Sequence, residues 1–208
     1  MTQVKICGLR DPKAIRTAVA AGADFIGFVF AKSKRQVTKE EAAALAAAIP
    51  EQVKKVGVFV NEEIDTVHEI AEAVGLDYIQ LHGDETPAYC QALKLPIIKA
   101  FEVHNQEDLE RLADYDCGYY LLDSPADQYR GGSGKAFDWS LTTAYDFLDK
   151  RILLAGGLDA HNVAEAIQEV RPAGVDVSSG VETDGVKDFA KIKAFIQAAK
   201  KGDDNHGL

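Results

Sequence analysis

Eight short β-branched or apolar runs recur along the 208 residues, each followed by a stretch of helical period, at about 26 residues per unit. That alternation predicts an α/β architecture closed into a single (β/α)8 TIM barrel. The first turn, Cys7-Gly8-Leu9-Arg10-Asp11, lacks the G-x-G-x-x-G that a doubly wound dinucleotide-binding sheet carries after its first strand. No Pro/Ser-rich linker or shift in composition divides the chain. One barrel domain over residues 1–201 is therefore expected, followed by a frayed polar tail at 202–208.

Taken in order, the first unit pairs a strand at Val4–Cys7 with a helix at Pro12–Ala21, which Asp11 caps and Pro12 opens. The second pairs Phe25–Phe30 with Lys39–Ile49, where Thr38 stands three residues ahead of Glu41 in capping-box spacing. The third is Lys55–Val60 with Glu62–Val74, entered at Asn61. The next three strands are Tyr78–Leu81, Ile97–Phe101 and Tyr119–Leu122, with helices at Pro87–Leu93, Gln106–Ala113 and, after the longest connection, Ser140–Phe147. Ile152–Leu154 with Ala160–Val170 and Val175–Val177 with Lys187–Lys200 complete the set.

Lys and Arg number 23 against 33 for Asp and Glu, a net charge of −10, which opposes binding to nucleic acid or to an anionic membrane. A local basic pocket for a small anion survives that arithmetic. Cys7, Cys90 and Cys117 are odd in number, with no C-x-x-C pair and no histidine at ligand spacing. Neither a disulfide framework nor a zinc site is expected, and a reducing, cytoplasmic compartment is implied. The five histidines show no H-x-H or H-x-x-x-H spacing, so no metal is expected. The longest apolar run, around Phe25 to Ala31, is far below the ~20 residues of a spanning helix. The expected partner is a small-molecule substrate, with the chain acting as a monomer or homodimer.

In such a barrel the chemistry belongs at the C-terminal ends of the strands. The residues there are Cys7, Asn61, Gln80 with His82, Asp123, Gly156-Gly157 and Ser178-Ser179-Gly180. The two glycine-bearing turns follow the seventh and eighth strands, where small residues let main-chain N–H groups approach a phosphate. Tight turns alone would also explain them. Gly131-Gly132-Ser133-Gly134-Lys135 is not a Walker A loop, because Tyr129 and Ala136 stand where Gly and Ser/Thr are required. In the longest connection it reads as a lid or as a plain loop.

Cys7 and Asp123 end the first and sixth strands, so closure sets a thiol and a carboxyl on one mouth. The thiol is a candidate proton acceptor if a cation raises its thiolate fraction, and the carboxyl a donor if its pKa rises above ~3.9. A buried small hydrophobe and a helix cap are the structural alternatives. Arg35, behind Lys32-Ser33-Lys34, offers a planar fork for a carboxylate, or else is solvated surface charge. Strand alternation puts Lys5 in the lumen beneath Cys7, and Asp176 on the neighbouring last strand is its expected partner.

Val4-Lys5-Ile6-Cys7-Gly8, Gly27-Phe28-Val29-Phe30, Ser33-Lys34-Arg35, Val56-Gly57-Val58-Phe59-Val60-Asn61, Gln80-Leu81-His82-Gly83, Leu121-Leu122-Asp123, Gly156-Gly157-Leu158 and Asp176-Val177-Ser178-Ser179-Gly180-Val181-Glu182 occur in this order from residue 4 to residue 182. Together with Gly131-Gly132-Ser133-Gly134-Lys135 and Phe137-Asp138-Trp139, the set resembles the phosphoribosylanthranilate isomerases of tryptophan biosynthesis. The resemblance implies an Amadori rearrangement of N-(5-phosphoribosyl)anthranilate to 1-(2-carboxyphenylamino)-1-deoxyribulose 5-phosphate, without a cofactor. It implies Asp123 as general acid, Cys7 as general base, and a substrate-binding set of Arg35, Gly156, Gly157, Asp176, Ser179 and Gly180. Ala31 and Gln36 depart from the family pattern, which often has Pro and an aromatic residue there. The alternatives are the related aminoaldose-ketose isomerase of histidine biosynthesis, which typically has aspartate in place of Cys7, and a catalytically silent phosphosugar-binding barrel.

Overall fold

A computed structural model describes residues 1–124, 138–143, 145–147 and 149–204. Its strands are β1 (Gln3–Cys7), β2 (Phe25–Val29), β3 (Lys54–Phe59), β4 (Tyr78–Leu81), β5 (Ile97–Glu102), β6 (Tyr119–Asp123), β7 (Ile152–Leu154) and β8 (Gly174–Val177). They pair in parallel in sequence order and close, β8 on β1, into one barrel. A doubly wound sheet would leave two open edges, so closure removes that rival.

Around the barrel run α1 (Pro12–Ala21), α2 (Lys39–Ala46), α3 (Ile64–Val74), α4 (Pro87–Ala92), α5 (Gln106–Glu110), α6 (Ser140–Thr143), α7 (Val163–Val170) and α8 (Phe189–Asp204). The Asp11 carboxylate accepts from the Ala14 N–H at 3.0 Å, and Gly22, at φ 98°, ends α1 in the left-handed conformation. Thr38 and Glu41 form the complete capping box of α2.

Several helices start later than their periodicity suggests, because short polar side chains divert the entry. Asn61 does not cap α3. It sits at φ 50° and accepts from the Asp84 N–H at 2.8 Å, tying two loops together instead. Asp159 and Asn162 bond to each other's backbone and hold residues 159–162 as a turn, so α7 begins at Val163. Lys187 belongs to a hairpin of β9 (Glu182–Thr183) and β10 (Val186–Lys187), joined through Asp184 and Gly185 at φ 52° and 78°. Asp188 then accepts from the Ala190 N–H at 2.8 Å and α8 follows. That helix continues to Asp204, so the boundary expected at residue 202 falls inside it.

Two apolar layers hold the barrel. The outer one packs strands against helices, through residues such as Ile6, Phe28, Ile79, Leu122, Ile192 and Phe195. The inner one fills the lumen, where strand parity sets side chains in tiers drawn from alternate strands. Phe25, Tyr78 and Tyr119 from β2, β4 and β6 plug the N-terminal end, edge to face at centroid distances of 5.7–5.8 Å. Above them lie Val56, Ile98, Leu121, Leu153, Ala100 and Ala155. The C-terminal tiers are polar, and there the site forms.

Candidate active site

All eight strands point the same way, so Cys7 at the end of β1 and Asp123 at the end of β6 reach one rim. Cys7 is buried. One tier down, fully buried Lys5 donates from Nζ to Asp176 Oδ1 at 2.9 Å, as parity required. Room for the ammonium and the thiol comes from Gly27 on β2. A Cβ there would stand 2.9 Å from Cys7 Sγ and 3.2 Å from Lys5 Nζ. Burial pushes the Cys7 thiol pKa up, Lys5 and Lys187 pull against it, and Asp176 adds to the rise. Burial alone would lower Lys5, but the Asp176 and Cys7 charges more than offset it, so its pKa lies above the ordinary lysine value.

Arg35 follows β2 and turns its fork onto Glu182. Its Nε donates to Oε1 at 2.6 Å and its Nη2 to Oε2 at 2.8 Å. Lys187, across the hairpin, reaches the same carboxylate at 2.8 Å and donates to the Ser178 carbonyl at 2.7 Å. Burial works to raise Glu182, yet the two cations hold it below the usual carboxylate range. The carboxylate bonds in turn raise Arg35, whereas burial lowers Lys187 despite its partner. The Nη1/Nη2 edge of Arg35 is the fork left for another carboxylate.

Asp123 is half-buried. Its Oδ1 accepts from the Ser124 N–H at 2.8 Å, and its Oδ2 lies 3.4 Å from His82 Nε2. Beneath His82, the Gln80 amide approaches Nδ1 at 3.2 Å. A buried pair, Lys99 and Glu85 at 3.2 Å, fixes the following turn: Lys99 donates to the Gly83 carbonyl at 2.7 Å and Glu85 accepts from the Gly83 N–H.

After β7 the chain turns through Gly156 and Gly157 at φ 80° and 65°. A Cβ at Gly156 would fall 2.2 Å from Ser124 Oγ, and one at Gly180 would fall 1.9 Å from the Leu158 carbonyl. Both positions therefore admit only glycine, and they bring the two turns together. Ser179 and Gly180 begin a 3-10 turn, whose first N–H groups have no acceptor within the turn. Asp176 sits lower, with one oxygen committed to Lys5. Gly131 to Lys135 lie outside the described residues.

The sequence reading missed Glu182 and Lys187 as site residues. Their signal was the Asp184-Gly185 pair, which marks a two-residue hairpin and sets positions 182 and 187 opposite each other.

A closed barrel with a thiol and a carboxyl on its C-terminal rim, beside paired glycine turns and a basic fork, defines an enzyme of the acid–base isomerase class. Residues 4–198 match the family model described as N-(5'phosphoribosyl)anthranilate (PRA) isomerase. The chain belongs to that family. It is 50% identical over 197 residues to the N-(5'-phosphoribosyl)anthranilate isomerase of Listeria welshimeri, covering 95% of this chain and 98% of the relative. It is 46% identical over 199 residues to that of Bacillus cereus, with 95% and 98% covered. The phosphoribosyl anthranilate isomerase structure from Thermotoga maritima superposes with a TM-score of 0.91 at 42% identity, over 97% of this chain and 100% of that one. A phosphoribosyl anthranilate isomerase solved in complex with reduced 1-(o-carboxyphenylamino)-1-deoxyribulose 5-phosphate superposes at 0.87 and 41% identity, over 97% and 100%.

Proposed function

We propose that this chain converts N-(5-phosphoribosyl)anthranilate to 1-(2-carboxyphenylamino)-1-deoxyribulose 5-phosphate, with Asp123 as general acid and Cys7 as general base. The observation that carries the reading is the pair itself, one ending β1 and the other β6 of a closed parallel barrel. Asp123 protonates the furanose ring oxygen and the ring opens to an iminium ion. The positive nitrogen acidifies the C2 hydrogen, which Cys7 removes, and the enolamine tautomerises to the ketose. Main-chain N–H groups of Gly156, Gly157, Ser179 and Gly180 bind the phosphate. The Nη1/Nη2 edge of Arg35 takes the anthranilate carboxylate while Glu182 holds the other edge. Asp176 keeps Oδ1 on Lys5 and offers Oδ2 to a sugar hydroxyl.

The ligand carried by the solved relative is the reduced form of the product and supports the same substrate class. No helix among the described residues is long and apolar enough to cross a membrane. Three free thiols, one of them the base, fit the cytoplasmic setting inferred from the sequence. The test is loss of fluorescence from freshly made phosphoribosylanthranilate. Wild-type turnover, with Cys7→Ser and Asp123→Asn each slowed by ~10²-fold or more, supports the roles; unaltered rates remove them.

A further inference from the structure

Asp123, in the reading above on which this inference rests, gives its proton to the ring oxygen in every turnover and must recover one before the next. The substrate gains no proton overall. The count closes when Cys7 hands the proton it took from C2 to C1 and the 2-hydroxyl sheds its own as the enolamine becomes a ketone, and that last proton needs a carrier to the carboxylate.

Among the described residues, the rim holds one side chain suited to the task. His82 follows β4, its Nε2 is 3.4 Å from Asp123 Oδ2, and its side chain is 31% exposed, enough to exchange protons with the site and with water. Its other nitrogen is governed by Gln80, which is 1% exposed and lies 3.2 Å from Nδ1 through its amide nitrogen. The Gln80 Oε1 is buried with no hydrogen-bond partner among the described residues. A buried amide oxygen left unpaired keeps its full desolvation penalty, so its presence asks for a reason.

An amide that serves two protonation states supplies one. With Nε2 of Gln80 donating, Nδ1 of His82 is a bare acceptor and the imidazole carries its proton on Nε2, towards Asp123. Turned over, the same amide presents Oε1 to an Nδ1–H. That arrangement suits the imidazolium, and also the neutral ring left after Nε2 gives up its proton. Lys99 of β5 and Glu85 after β4, two charged side chains beside this turn, do not compete, because they are committed to each other.

We propose that His82 is the positioning residue of the general acid: Nε2 holds Asp123 Oδ2 and returns a proton to it in each cycle, with Gln80 serving both states of the ring. The donor is the imidazolium, with its Nδ1–H on Gln80 Oε1: the Nε2–H bond breaks and an O–H bond forms on Asp123, and the neutral ring, left with its proton on Nδ1, is recharged at Nε2 by the proton the product releases.

The experiment is steady-state turnover of phosphoribosylanthranilate by the full chain and its His82→Ala and His82→Gln variants, with Asp123→Asn as reference. His82→Ala is expected to lower kcat by ~10-fold or more with KM within about twofold, and added imidazole to restore several-fold of the loss. Imidazole leaves Asp123→Asn unchanged. His82→Gln, which can hydrogen-bond to the carboxyl but carries no proton, stays slow. Wild-type kcat in either His82 variant, a loss confined to KM, or no response to imidazole overturns the proposal. A wild-type chain that fails to turn over the substrate overturns instead the assigned function, so the two failures are distinguishable.

Discussion

Replacing Asp176 with Asn leaves the lumen one charge out of balance. Lys5 is fully buried and Asp176 is its salt-bridge partner at 2.9 Å, across the β1–β8 seam where the two residues stand in register. Removing one member of a buried pair costs about 3–5 kcal/mol, because the remaining charge keeps its desolvation penalty and loses its attraction. In the wild type the raised Lys5 pKa keeps the ammonium charged in both folded and unfolded chains up to the unfolded value, so this pair adds no pH slope between pH 7 and 10. In the variant, burial dominates and Lys5 falls below that value. The unfolded chain then binds more protons than the folded one, and stability rises with pH at up to ~1.4 kcal/mol per unit. Urea unfolding of Asp176→Asn against its parent, both in a Cys7→Ser background to remove the thiol's own titration, should show a deficit of about 3–5 kcal/mol at pH 7 that narrows towards pH 10. A deficit below about 1 kcal/mol, or one that is the same at both pH values, would refute the reasoning. Lys5→Met with Asp176→Leu, which removes both charges, should be close to neutral in stability.

The raised Cys7 pKa means that alkylation by iodoacetamide should be slow at pH 7 and climb roughly tenfold per pH unit past the ordinary ~8.5 of a free thiol; a plateau below pH 8 would contradict it. Glu182→Gln frees the Arg35 fork and leaves Lys187 without its carboxylate, so KM for phosphoribosylanthranilate should rise by ~10-fold or more, against a smaller change in kcat. The lowered Glu182 pKa adds stability above the unfolded carboxylate value that is lost as pH falls through the folded one; the variant should therefore show a weaker acid-side decline in thermal melts. Gly27→Ala drives a methyl group to 2.9 Å from Cys7 Sγ, and should cost about 1–3 kcal/mol of stability together with most of the turnover.

What was legible in the sequence was whatever depends on period and parity. Asp11-Pro12 fixed the start of α1 because the cap and the helix are adjacent in the chain. The Lys5–Asp176 contact joins residues 171 apart, yet alternation along two strands that meet only on closure was enough to anticipate it. The Arg35–Glu182 contact spans 147 residues and could not be read the same way. Glu182 lies past the last barrel strand, in a hairpin whose return over the rim obeys no barrel periodicity. Asn61 misled for a related reason: an Asx side chain before an acidic, apolar-periodic stretch is a helix start by local rules, but here the Asp84 backbone competes for its oxygen.

The charges around the thiol suggest why the acid step comes first. Lys5, Lys187 and Arg35 face Asp176 and Glu182, and these five groups around the thiol sum to one surplus positive charge that a Cys7 thiolate would neutralise. On the proposed roles, the anthranilate carboxylate takes up that surplus as it binds Arg35, and the buried thiol loses its support at the moment it is needed. Protonation of the ring oxygen restores it. The iminium ion brings a new positive charge next to Cys7, raising the thiolate fraction and the acidity of the C2 hydrogen together. A substrate analogue that cannot ring-open should therefore protect Cys7 from alkylation by suppressing the thiolate as well as by occlusion, whereas one with a fixed cationic nitrogen should hold the thiol ionised. Thiolate absorbance at 240 nm, corrected with the Cys7→Ser variant, separates the two, and equal ionisation with both analogues would defeat the argument.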